Sequence, residues 1–115
     1  MTNDEIRSFL TVATQDECAK RCLSALDSAS VAVSGMEPGE VTANEAHRVF
    51  SIRLRSLQKA KVEHCGFEGA LSSLQDAGSE ETVRVVHLAG VGSNFTLFIR
   101  AGDGAFLGCI GVFGS

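Results

Sequence analysis

Four cysteines, three histidines and a Gly-Asp-Gly turn are the residues of this chain whose types could do chemistry. Cys18 and Cys22 stand four positions apart, Cys65 follows His64 directly, and Cys109 lies near the end. A thiol nucleophile needs a base within hydrogen-bond reach, and a structural zinc needs four thiolate or imidazole ligands. These spacings favour neither. On a helix Cys18 and Cys22 share one face, where adjacent turns rarely present the geometry of a disulfide. Nor do they form the Cys-x-x-Cys of a redox motif or zinc ribbon. His64 and Cys65 diverge by about 100° on a helix, so adjacency makes no dyad. Buried thiols are the expectation, with a zinc set of Cys18, Cys22, Cys65 and His64 as the alternative. His47 and His87 are isolated in sequence, and Asp103 reads as a turn-forming residue rather than a metal ligand. Gly90-Val-Gly-Ser-Asn94 would have to enter a helix to cradle a phosphate, and it enters a strand instead. The chain is expected to carry no catalytic residue, no cofactor and no metal.

The background charge agrees with a protein that does not grip phosphates. Ten Lys and Arg stand against fourteen Asp and Glu, a net charge of −4. The densest basic run, Arg48, Arg53, Arg55, Lys59 and Lys61, reads as a solvated helix face or as a docking surface for an acidic partner. Nucleic acid is disfavoured there because the one aromatic that interleaves, Phe50, belongs to the buried stripe and leaves no exposed ring to stack on bases. With 115 residues and 44% apolar composition the chain is expected to be one domain, residues 1–115, able to bury its own core. No apolar run approaches the roughly 18 residues that read as a membrane span, so direct membrane insertion is not expected. MTNDEIRSFL shows no secretory signal, and the expected location is cytoplasmic, with recruitment to membranes through partners.

The elements that must position these residues follow from periodicity. Asn3 or Asp4 can cap a first helix through Ile6, Phe9 and Leu10, disturbed by β-branched Thr11, Val12 and Thr14. A second helical stripe runs from Gln15 to Ser28 through Cys18, Cys22, Ala25 and Leu26. Ala29–Ser34 alternates like a short strand, and Met36-Glu-Pro-Gly-Glu40 is the strongest turn signal. Thr42-Ala-Asn-Glu45 then opens a long helix with a capping box and a buried stripe of Ala46, Val49, Phe50, Leu54, Leu57 and Ala60. The alternation Phe50-Ser-Ile-Arg-Leu-Arg55 also allows a strand over 49–56. The helix should end or kink near His64-Cys65-Gly66, and a helical stripe resumes from Phe67 to Leu74. Three strands close the chain: Thr82–Leu88, Phe95–Arg100 and Ala105–Phe113. Their short glycine-containing links predict an antiparallel meander. The fold class is therefore α+β, an antiparallel sheet with a C-terminal three-stranded meander packed on two or more helices. Helices can cover one apolar sheet face, and the other face or the sheet edge is expected to meet another chain.

A long helix over Thr42–Lys61 stands before Val83-Arg-Val-Val-His-Leu88. After it comes Phe95-Thr-Leu-Phe-Ile-Arg-Ala-Gly-Asp-Gly-Ala-Phe-Leu-Gly-Cys-Ile-Gly-Val112. This order resembles the roadblock/dynein light chain family of the longin- and profilin-like group, over about 60–70 residues. The N-terminal part departs from the family pattern, since only Ser30–Ser34 is an obvious strand and 66–76 adds a helical piece. The resemblance implies a non-enzymatic scaffold or regulator of small GTPases, motors or membrane-associated complexes, working as a homo- or heterodimer. The contact is expected to use Val49, Ile52 and Ser56 of the long helix with Val83, Val85, Val86 and Leu88 of the strand. A ligand-sensing regulatory domain, with a pocket between sheet and helix, is the alternative, and a thiol-dependent enzyme a further one.

Overall fold

In the computed structural model, residues 2–13, 15–33 and 39–114 are described. The N-terminal disturbance resolves into two helices, α1 (Asn3–Val12) and α2 (Glu17–Asp27). Each has its own cap. The Thr2 hydroxyl accepts from the Glu5 N–H while the Glu5 carboxylate reaches back to Thr2. The Asp16 carboxylate accepts from the N–H groups of Cys18 and Ala19 at 2.9 and 3.2 Å. A cap of this kind contributes about 1 kcal/mol by satisfying an orphan donor.

Strands β1 (Val31–Val33) and β2 (Gly39–Thr42) follow, then α3 (Ala43–Ala60). The expected turn lies outside the described residues from Met36 to Pro38, as do Ser34 of the expected strand and Thr14. Thr42 ends β2 and also caps α3, its hydroxyl accepting the Glu45 N–H at 3.1 Å. The other half of the expected capping box does not form, because the Glu45 carboxylate pairs with Arg48. Residues 49–56 are helical throughout, so the strand alternative is excluded. The 3.6-residue stripe of Ala43, Ala46 and Phe50, continued by Leu54 and Leu57, has an apolar surface to lie on; a strand there would have none.

The remaining elements are β3 (Glu63–Cys65), α4 (Phe67–Asp76), β4 (Thr82–Gly90), β5 (Ser93–Arg100) and β6 (Phe106–Phe113). All described strands join one antiparallel sheet in the order β1-β4-β5-β6-β3, with β2 also pairing β4. The expected meander is β4-β5-β6. β1 and β2 share the outer edge of β4, opposite residues 88–90 and 82–85 respectively. β3 closes the far edge along β6, where a helix end or kink was expected.

Alternation along the central strands feeds two cores. Val86, Leu88, Phe95, Leu97, Ile99 and Cys109 meet Ile6, Leu10, Cys18, Cys22 and Leu26 of α1 and α2. Val83, Val85, Phe98, Ile110 and Val112 meet α3 and α4, with Phe50 edge-on to Phe98 at 4.9 Å. Helix α4 sits close on β6 because Gly108 has no side chain, and a Cβ there would stand 3.0 Å from that of Ala70. Both sheet faces are thus covered within one chain. This corrects the expectation that a face of the sheet remains for a partner: the two N-terminal helices supply the second cover.

Candidate interaction surface

The seven residues expected at a partner contact divide into two sets. Val83, Val85, Val86 and Leu88 are 8% exposed or less, and β4 is paired on both sides. They are core, not a docking edge. Their apolar character reflects burial on both faces of the strand, which the polar Arg84 and His87 between them interrupt only locally. Val49, Ile52 and Ser56 lie together on the outward side of α3, with Val49 43% and Ile52 53% exposed. Among the described residues the exposed large aliphatics are Val12, Val49, Ile52 and Val91, and only Val49 and Ile52 stand a helical turn apart on one element.

The cysteines are arranged differently from the sequence expectation. Cys18 of α2 and Cys65 of β3 form a disulfide, with Cα atoms 5.6 Å apart. Neither sulfur is therefore available to a zinc ion, and His64 is turned away, donating Nδ1–H to the Val62 carbonyl at 2.9 Å. Among the described residues no group of three or more His, Cys, Asp or Glu is placed to hold a metal. Cys22 and Cys109 are buried free thiols. The hydrogen bond between them and their burial push the Cys109 thiol well above its ordinary value, so it stays protonated and unreactive. Nothing in the sequence pairs Cys18 with Cys65, because the pairing depends on α2 and β3 meeting at the sheet edge.

Around the disulfide, Arg21 fastens α2 to the same edge of the sheet. It pairs with Glu63 at 3.2 Å and lies over the Phe113 ring at 3.8 Å. In the Gly102–Gly104 turn, Asp103 accepts the Ala105 N–H at 3.0 Å and faces Arg100, which hold its carboxyl below the usual range. Its role is turn formation.

His87 is half-buried on β4, with Nδ1 3.1 Å from the Thr96 hydroxyl. Burial, and then the charge of Arg53 on α3, lower its pKa below the ordinary 6.5. The unfolded chain therefore takes up a proton near pH 6.5 that the folded chain resists. Stability should fall as pH drops through 6.5, and continue falling to the depressed folded value. Thermal melts between pH 7.5 and 5 should show that decline, and His87→Gln should make it shallower. An unchanged slope in the variant would assign the decline elsewhere.

A groove of about 580 Å³ runs between α3 and α4, lined by His47, Leu54, Gln58, His64, Phe67 and Glu68 among others. His47 and His64 share this space although they are far apart in sequence. The Sγ of Cys65 is engaged in the disulfide at its floor. No family model, curated protein or solved structure matches the chain.

Proposed function

We propose that the chain is a non-catalytic interaction module that binds a protein partner through the outward face of α3. One observation carries this reading: Val49 and Ile52 stay exposed, a turn apart, on a helix whose inner stripe is fully used, while the apolar sheet is sealed. Exposed aliphatics of this kind on an ordered helix are suited to partner contact. The reactive side chains support a non-enzymatic role, since two thiols are buried and two are joined. The roadblock resemblance supports a scaffold or regulator of a small-GTPase, motor or membrane-associated complex as the wider setting. No helix among the described residues is long and apolar enough to cross a membrane. A cytoplasmic location stands in tension with the Cys18–Cys65 bridge, because reducing compartments keep thiols free.

The test is retention of a stoichiometric protein partner by the immobilised chain under native conditions. Ile52→Glu should reduce retention at least about tenfold, since a carboxylate would be desolvated at the contact centre. Val12→Glu, at a still more exposed aliphatic on α1, should leave it unchanged. Retention that survives Ile52→Glu would contradict the reading. The α3–α4 groove favours a second one, a small-molecule sensor. In that case a ligand would raise the melting temperature of wild type and Ile52→Glu alike, and His47→Ala would remove the rise.

A further inference from the structure

The cations of the chain are unevenly satisfied. Arg7, Lys20, Arg21, Arg48, Arg84 and Arg100 each have a carboxylate within 4.0 Å. Among the described residues, Arg53, Arg55, Lys59 and Lys61 have none, and all four belong to the C-terminal half of α3 and its cap. Lys59 and Lys61 have a local reason to be there, at the negative end of the helix dipole. Arg55 stands exposed mid-helix with no such reason, and Arg53, half-buried on the flank nearer His87 of β4, has none from the dipole either. Between Ala43 and Lys61 five cations accompany one carboxylate, Glu45, in a chain whose net charge is −4.

Their positions relative to the apolar stripe are what matter. With Val49 and Ile52 at heptad positions a and d, Ser56 is the next a, Arg48 and Arg55 fall at g, and Arg53 falls at e. The e and g positions flank a helix–helix seam and select the partner by charge. A second copy of α3 would set these arginines against their own images. In a parallel pair g faces e, and in an antiparallel pair g faces g and e faces e. Both directions oppose Arg to Arg, which disfavours a like partner by repulsion. A helix with Glu or Asp at its edges would instead meet guanidinium groups able to bind carboxylates bidentately.

We propose that the outward face of α3 receives an acidic amphipathic helix from a different polypeptide, with aliphatic side chains over Val49 and Ile52, carboxylates against Arg53 and Arg55, and a further carboxylate against Arg48 in exchange for its Glu45 partner. The inference rests on α3 being the docking surface and decides against self-pairing. An anionic lipid surface would meet the same cations, but two exposed aliphatics on α3 offer little area to bury in a bilayer.

The experiment uses the full chain and two synthetic three-heptad peptides with Leu at a and d, one carrying Glu at e and g and the other Lys. Fluorescence anisotropy should show the Glu peptide binding about tenfold or more tightly than the Lys peptide. Raising salt to about 0.5 M should erode that preference. Arg48→Glu/Arg55→Glu changes two exposed residues; its circular dichroism should match wild type and its preference should invert. Equal binding of both peptides, still abolished by Ile52→Glu, would overturn the acidic partner while leaving α3 as the docking face. A wild-type dimer abolished by Ile52→Glu would overturn it in favour of a second copy. Binding to phosphatidylserine vesicles without binding to either peptide would overturn it in favour of lipid. No binding in any arm would sink both this inference and the docking reading.

Discussion

Removing the Cys18–Cys65 disulfide is expected to cost about 4 kcal/mol of folding stability. The bridge spans a sequence separation of 47 and joins α2 to β3. In the chain-entropy account, opening a loop of that size restores about that much free energy to the unfolded ensemble. The element it secures has little else to hold it. β3 is three residues long, pairs only with Phe113, Val112 and Gly111 of β6, and is otherwise tied by the exposed Arg21–Glu63 pair. Exposed pairs of that kind contribute little, at most about 1 kcal/mol. Cys18→Ala/Cys65→Ala should therefore melt on the order of 15 °C below the oxidised wild type. A reducing agent should bring wild type down toward the double variant and leave the variant where it was. If reductant lowers both equally, the bridge is not the source of the stability.

The second large effect is expected at Gly66. This residue caps α4 with φ of 81°, a left-handed conformation that side chains resist. A Cβ would also overlap the Cys109 carbonyl oxygen on β6 and come within 3.0 Å of Cys18 Cβ and Sγ. The obstacle on one side is sheet backbone, which cannot step aside without breaking the ladder. Gly66→Ala should cost roughly 3 kcal/mol or more, in the range where steric overlap and backbone strain combine. Gly78→Ala provides the comparison. Its φ is 95°, equally left-handed, and nothing lies within 4 Å of the added carbon. That variant should lose only the conformational part, about 1–2 kcal/mol. Equal losses at the two glycines in chemical denaturation would show that the close approach of β6 to Gly66 does not matter.

How legible this fold was depends on whether an element's reason to form is local. The three C-terminal strands carried their own alternation and glycine turns, and they stand where the sequence places them. Helix α3 was readable from Thr42 and the Ala46-Phe50-Leu54 spacing, both local. β2 and β3 were not, because each exists only as a complement to an edge formed much later in the chain: β2 along β4, β3 along β6. The disulfide was hidden for the same reason, since β3 is what brings Cys65 to Cys18. The assignment of Val83–Leu88 to a partner contact failed on a different ground. Doubly apolar strands signal cover on both faces, but the sequence does not say whether that cover is supplied by the same chain. Here α1 and α2 supply it. On α3 the basic run was visible, but the sequence spacing places Val49 and Ala60 in the buried stripe, and both are exposed. The pairing of Val49 with Ile52 and the register as a, d, e and g positions needed the helix to be established first.

The most direct measurement is a map of backbone amide shifts in the labelled chain as the Glu-flanked helix is titrated in. Perturbations confined to residues 48–59 of α3, absent in Ile52→Glu, are the expected result. Shifts that instead concentrate along His47, His64 and Glu68 in the groove, or across the strands of the sheet, would contradict the assignment of α3 as the docking face.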